Sequence, residues 1–178
     1  MGAAFEWINN IASWFGQFVP RMQIIESTHN GVKFVGGNKP KVLGPGLHIY
    51  WPLTTIVHTM PVVRQTYNVI SQVLVTKDGK SVSIGVVLVY KIDDVMKAIA
   101  ESYDHVNTMS DITMCGVVGA VTSRTLEEMI AQIEDKVESD LTKVTRRELK
   151  PFGIYVDRCA VTDFSPCRCI KLLDGKGQ

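Results

Sequence analysis

Four histidines, four cysteines and one pair of adjacent aspartates are the residues of this sequence best suited to chemistry, and their spacing argues against most of it. His29, His48, His58 and His105 stand singly, and no His-Glu-x-x-His run sets two imidazoles on one helical face for zinc. The glycines of GGNKPKVLGPG are not followed by the Lys-Ser/Thr of a phosphate loop, and no Gly-x-Ser-x-Gly elbow presents a nucleophilic serine. Cys167 and Cys169 make a close pair with no second pair at zinc spacing. They read as thiols near solvent towards the C-terminus, with lipidation beside a membrane as the sharper alternative. Asp93-Asp94 looks like a metal pair, but it lies where a strand gives way to a helix, the place for a capping aspartate. The expectation is a protein that is not an enzyme, with no cofactor and no metal.

The elements that position these residues follow from periodicity. The chain has 178 residues, 46% hydrophobic and 21% charged, with a net charge of +1, an ordinary globular composition. Near-balanced charge speaks against a nucleic-acid partner, and no apolar run reaches the ~18 residues of a spanning helix. From Met22 to Tyr90 short strands alternate with turn residues. A hairpin is expected at Asn30-Gly31, with further turns at Gly36-Gly37-Asn38, Gly44-Pro45-Gly46 and Lys77-Asp78-Gly79-Lys80. In SVSIGVVLVYKI, Val82, Ile84, Val86, Leu88 and Tyr90 form one apolar face of a half-buried antiparallel sheet.

The period then becomes helical, with helices over Val95–Ser102 and Val106–Thr122. On the second, small residues Cys115, Gly116, Gly119 and Ala120 would admit a close neighbour. The third helix opens with a capping box, Thr125 and Glu128. It carries a stripe of Leu126, Met129, Ile130, Ile133, Val137, Leu141 and Val144, and ends at Pro151 and Gly153. Its first half is acidic (Glu127, Glu134, Asp135, Glu138) and its last turns basic (Lys143, Arg146, Arg147), a polarity that suits the helix dipole. A closing strand, IYVDRCAVTDF, completes an α+β fold.

Ahead of this body lies FEWINNIASWFGQFV. Trp7, Ile8, Ile11, Trp14, Phe15 and Phe18 fall at helical spacing opposite Glu6, Asn9, Asn10, Ser13 and Gln17. Tryptophan favours a membrane interface, being apolar with one N–H to satisfy. This amphipathic helix therefore lies in one leaflet or docks in a protein groove. No Lys or Arg precedes Arg21, so nothing in the segment itself attracts anionic lipid.

The order of motifs resembles the SPFH or band 7 family, which includes stomatins, prohibitins, flotillins and the bacterial HflK/HflC pair. The resemblance rests on GVKFVGG…KVLGPGLHIYWPL, Gln65, QVLVTKDGKSVSIGVVLVYKIDD, VGAVTSRTLEEMI and LKPFGIYVDRCAVTDFSPC. It covers Val19 to Leu173, and stomatin-like members are nearest in character. It implies an SPFH-type domain over 21–173, preceded by the docking helix (1–20) and followed by a tail (174–178). It also implies a non-enzymatic, peripheral or monotopic membrane scaffold. Its partners would be the lipid interface, other copies and membrane-protein clients.

Within the resemblance, Gly44-Pro45-Gly46-Leu47-His48 through Pro52 corresponds to the family's loop and strand near the membrane. Leu47, Ile49, Tyr50, Trp51 and Leu53 would give it an apolar rim, or else fill the core under the sheet. Thr76 to Lys80 corresponds to the family's hairpin. Family members commonly carry a hydrophobic hairpin before the domain and an Ala/Glu-rich coiled coil after it. This sequence has the aromatic helix in the first place and stops at Gln178. It is then either a piece of a longer protein or a minimal member assembling through domain contacts or other proteins. The charge segregation of the third helix would let it pair between neighbours in a ring, its acidic half facing a neighbour's basic half. The alternative function is a structural subunit of a larger fixed assembly, a membrane complex or a virion, docked through the aromatic helix.

Overall fold

The computed structural model describes residues 19–167, apart from the side chain of Glu134. These fall into two compact units, one of residues 19–63 with Ile92–Tyr103, the other of Arg64–Lys91 with residues 104–167. The fold is α+β, with antiparallel strands followed by helices.

The first unit holds β1 (Arg21–Ile25), β2 (His29–Val35), β3 (Lys39–Leu43), β4 (Gly46–Tyr50), β5 (Thr55–Pro61) and the short helix α1 (Val95–Ala100). β1 and β4 form a two-stranded ribbon, and the other three make a sheet in the order β3-β2-β5. The β2–β3 hairpin turns where expected, because Gly36 and Gly37 both take positive φ (63° and 75°), a region closed to most side chains. The hairpin expected at Asn30-Gly31 does not form. Those residues lie inside β2, and the chain turns earlier, where the amide of His29 donates to the carbonyl of Glu26 (3.0 Å). β1 pairs instead with β4. Gly31 is needed for packing: a Cβ there would stand 3.0 Å from Ile25 Cδ1 and 3.1 Å from the carbonyl oxygen of His58. Strand β5 had no counterpart in the sequence reading. Asp94 caps α1 as expected, accepting from the amides of Met96 and Lys97.

The second unit is a sheet, β6 (Gln65–Val75), β7 (Ser81–Ile92) and β8 (Ile154–Pro166), in the order β6-β7-β8. Its helices are α2 (His105–Thr122), α3 (Leu126–Gln132) and α4 (Glu138–Leu149). α2 packs on β6 and α4, and α4 packs on β8. The inner face of β7 is the expected one: Val82, Ile84, Val86, Leu88 and Tyr90 are all buried. Each contributes on the order of 2 kcal/mol of apolar burial.

The third predicted helix is interrupted. A π-turn, Ile133–Val137, separates α3 from α4. The buried residues Met129, Val137, Leu141, Thr145 and Leu149 are spaced in multiples of four. In an unbroken α-helix that spacing drifts by about 40° per step, and the extra residue of a π-turn recovers part of the drift. Ile130 and Val144, expected on the buried stripe, each stand one residue off this four-residue spacing, next to Met129 and Thr145, and are exposed. A 3₁₀ turn, Lys150–Phe152, and Gly153 at φ 71° end the helix.

Candidate functional site

In the β1–β4 ribbon, Met22 lies opposite Ile49 and Ile24 opposite Leu47. Directly opposed residues share a face of an antiparallel pair, so four aliphatic side chains stand together. They point into solvent. These four, with Trp51 and Leu53 just beyond β4, are 51 to 76% exposed. The opposite face carries Arg21 with Tyr50, Gln23 with His48, and Ile25 with Gly46. Ile25 is buried there. Of the apolar rim expected from sequence, Leu47, Ile49, Trp51 and Leu53 are exposed, while Tyr50 belongs to the other face and is half-buried. Met22 and Ile24 were missed. Their alternation was visible, but the side they face depends on β4, twenty-odd residues away.

The turn after β4 is fixed by its backbone. The amides of Thr54 and Thr55 donate to the carbonyl of Trp51 (3.2 and 2.9 Å), and Gly36 N donates to the carbonyl of Thr54 (2.7 Å). The Trp51–Thr55 turn and the β2–β3 hairpin tip therefore sit at one end of the same sheet.

In the second unit, α2 and α4 diverge to leave an apolar groove of about 800 Å³. Gly116 lies at their contact, where an added Cβ would be 3.5 Å from Thr145 Oγ1 and 3.8 Å from Leu141 Cδ2. Cys115, Gly119, Ala120 and Val144 line the open part, with Asp111, Lys143 and Glu148 among its charged residues. At the junction of α2 with α3, Arg124 donates to Asp140 (2.6 Å) and to the carbonyl of Ala120 (3.1 Å).

The acidic and basic residues of the long helix have different surroundings. Glu138 is 8% exposed and turned inward: Oε2 accepts from Arg158 (2.8 Å) and Oε1 from the amide of Val161 (2.8 Å). Arg146 donates to the carbonyls of Val156 and Asp157 (2.7 and 2.9 Å) and lies over the ring of Tyr155. These two serve α4–β8 packing, which removes them from the set free to face a neighbour. Glu127, Asp135 and Lys143 are exposed, and Arg147 pairs with the adjacent Glu148 (2.9 Å).

Cys167 is half-buried, and its amide donates to the carbonyl of Ser81 (2.8 Å). Trp7, Ile8, Ile11, Trp14, Phe15, Phe18 and Cys169 lie outside the described residues. Among the described residues no three His, Cys, Asp or Glu side chains gather as a metal site, and no helix is long and apolar enough to cross a membrane. His48 donates from Nε2 to the carbonyl of Gly44 (2.7 Å), and His58 meets Phe34 edge-on. Both are thus engaged locally in the fold.

The motif Thr76-Lys77-Asp78-Gly79 has a structural task. The Lys77 amide donates to the carbonyl of Arg124 (2.9 Å), and Asp78 Oδ1 accepts from the amide of Leu126 (3.2 Å). The β6–β7 turn is thereby tied to the start of α3. Thr125 and Glu128 complete the capping box expected there.

Residues 23–171 match the SPFH domain / Band 7 family. An uncharacterized protein of Archaeoglobus fulgidus is 27% identical over 142 residues, 80% of this chain and 57% of its own length. Stomatin-1 of Caenorhabditis elegans is 25% identical over 146 residues, 80% of this chain and 43% of its own. A stomatin homologue of Pyrococcus horikoshii is 22% identical over 142 residues, 80% of this chain and 53% of its own. The chain thus spans about half the length of these three relatives. With a match over most of its length and this fold beneath it, the chain belongs to the SPFH/band 7 family, a membership that suggests a membrane-associated scaffold role.

Proposed function

We propose that this chain is a non-enzymatic scaffold that lies on a membrane surface through the β1–β4 ribbon, associates with further copies and organises the membrane proteins around it. The observation that carries the reading is the single face formed by Met22, Ile24, Leu47 and Ile49, extended by Trp51 and Leu53. A contiguous apolar face of this kind marks an interaction surface. Transferring six half-exposed side chains from water contributes on the order of 1 kcal/mol each, enough to offset the cost of holding the chain at a surface. The aromatic segment Trp7–Phe18 directly precedes β1 in sequence and carries a second set of apolar residues of the type a membrane interface favours.

Flotation with phosphatidylcholine vesicles tests this. The native chain should float, and an Ile24→Ser, Leu47→Ser, Trp51→Ser variant should remain at the bottom with an unchanged circular dichroism spectrum. A native chain that stays down with the vesicle-free control refutes the lipid reading. It would turn attention to the alternative, a subunit of a fixed assembly whose apolar ribbon is covered by protein.

Self-association is supported by the α2–α4 groove and by charges left for a neighbour. Glu127 and Asp135 are exposed towards the α3 end of the long helix and Lys143 on α4, beside Arg147, which is paired with Glu148 but stands largely in solvent. Ile130, 59% exposed among the acids, offers an apolar side chain to the groove. The occupant is a second copy, α3 of one chain meeting the groove of the next head to tail. Changing Lys143 and Arg147 together to Glu should lower the oligomer mass in light scattering, and an unchanged mass would refute this contact.

A further inference from the structure

The basic residues of the first unit lie where the sequence alone gave no reason to place them. In β2–β3, Lys33 is directly opposite Lys41, and Lys39 is opposite Val35, two residues further along. Opposed residues share a face and alternate residues return to it, so Lys33, Lys39 and Lys41 line one face of the hairpin. Like charges held directly opposite one another destabilise a strand pair. Residues 19–63 contain Arg21 and these three lysines against a single acid, Glu26, while Ile92–Tyr103 brings Asp93, Asp94 and Glu101 against Lys97, so the excess of charge belongs to the β2–β3 hairpin and not to the unit as a whole. Glu26 stands beside His29 (3.7 Å), and Asp94 beside Lys97 (3.7 Å). Among the described residues, no ion pair includes Lys33, Lys39 or Lys41.

Their position gives this excess charge a direction. One end of the face is closed, with Ile25 against Gly31 and Leu43, opposite Gly31, buried. The other end, at Lys39, is the hairpin tip whose Gly36 is hydrogen-bonded to Thr54. Exposed Trp51 and Leu53 occupy that same turn. An indole and an aliphatic chain at the level of the headgroups, with ammonium groups on flexible stems beside them, is the arrangement that meets lipid phosphates.

We infer that Lys33, Lys39 and Lys41 form a headgroup-binding face that makes docking of this unit selective for anionic phospholipids. The inference rests on the membrane-docking reading above and adds the lipid class. Three lysines near an anionic surface give a preference on the order of 100-fold over a neutral one at low salt, and it shrinks as the screening length falls.

The test is cosedimentation with phosphatidylcholine vesicles and with vesicles of phosphatidylcholine and phosphatidylserine, at low and high salt. It uses the native chain, a Lys33→Gln, Lys39→Gln, Lys41→Gln variant and the corresponding triple Arg variant. The inference expects a native preference for the anionic vesicles that is lost with Gln and kept with Arg. Binding to phosphatidylcholine should be the same for all three. Equal native binding to both vesicle types, or a preference that survives in the Gln variant, overturns the lysine face and leaves apolar docking intact. A native chain that binds neither vesicle overturns the docking reading and this inference with it.

Discussion

Asp78 Oδ1 accepts a hydrogen bond from the backbone amide of Leu126 at 3.2 Å, across 48 residues of sequence. The first turn of α3 thus has one of its free amides satisfied by the β6–β7 turn, not by its own cap. The same carboxylate accepts a hydrogen bond from the hydroxyl of Thr76 and lies 3.1 Å from the ammonium of Lys80.

That setting fixes a pH dependence. The Thr76 hydroxyl, against a smaller opposing effect of burial and with help from Lys80 and Leu126, holds Asp78 at about 2, below its ordinary 3.8. A depressed carboxylate stabilises the fold above its unfolded value and loses that stabilisation as pH falls through the folded one. In Asp78→Asn the melting temperature should be lower than native at neutral pH. The gap should close as pH drops from about 4 to about 2. A gap constant over that window would contradict the assignment. Glu128, lowered chiefly by the amide of Thr125, adds a loss of the same sign in both proteins.

Glu138 should behave as an internal clamp. Glu138→Ala leaves the half-buried amide of Val161 without this acceptor and removes the carboxylate that pairs with Arg158, at a cost of about 3 kcal/mol in urea unfolding. Glu138→Gln keeps an acceptor for Val161 and should cost about 1 kcal/mol, since Arg158 is largely in solvent. Oligomer mass should not change in Glu138→Gln, in contrast to the Lys143 and Arg147 reversal.

Two glycines predict opposite signs. Gly31→Ala forces a methyl against the His58 carbonyl and Ile25, and should destabilise by about 1–3 kcal/mol. Gly119 is helical with nothing within 4 Å of an added Cβ. Gly119→Ala should stabilise by about 1 kcal/mol through helix propensity. Chemical denaturation of the two variants reads both.

The cysteines should separate by reactivity. Burial pushes the Cys159 thiol up to about 11, and its amide is engaged by the hydroxyl of Thr142 (2.9 Å). Cys115 is exposed at the α2–α4 groove. In the Lys143→Glu, Arg147→Glu protein, whose groove is left open, an alkylating reagent at pH 8 should modify Cys115 within minutes and Cys159 only on unfolding, as followed by peptide mass spectrometry.

What the sequence disclosed is what short-range pattern encodes. The alternation of β7, the cap at Asp94, the Thr125–Glu128 box and the Gly36-Gly37 turn each depend on residues a few positions apart, and each formed. Asn30-Gly31 misled because a local hairpin signal competed with a distant partner: β1 is taken by β4, and Gly31 answers to crowding from Ile25 and His58. Glu138 read as a surface charge because the groups that receive it, Arg158 and Val161, lie about twenty residues on in another strand. The docking face was half-legible. The rim after Gly46 announced itself, whereas Met22 and Ile24 join it only through strand register.

The β1–β4 ribbon has one further consequence. Two strands with one wet apolar face are marginal alone in water, and here the second layer that would complete them is absent from the described residues. On the docking reading, lipid supplies that layer and acts as a ligand of the folded state. By mass action the ribbon's stability then rises with the logarithm of vesicle concentration, even where no contact within the protein changes. Amide exchange in residues 21–25 and 46–50 would slow on vesicles while that of β7 stayed constant.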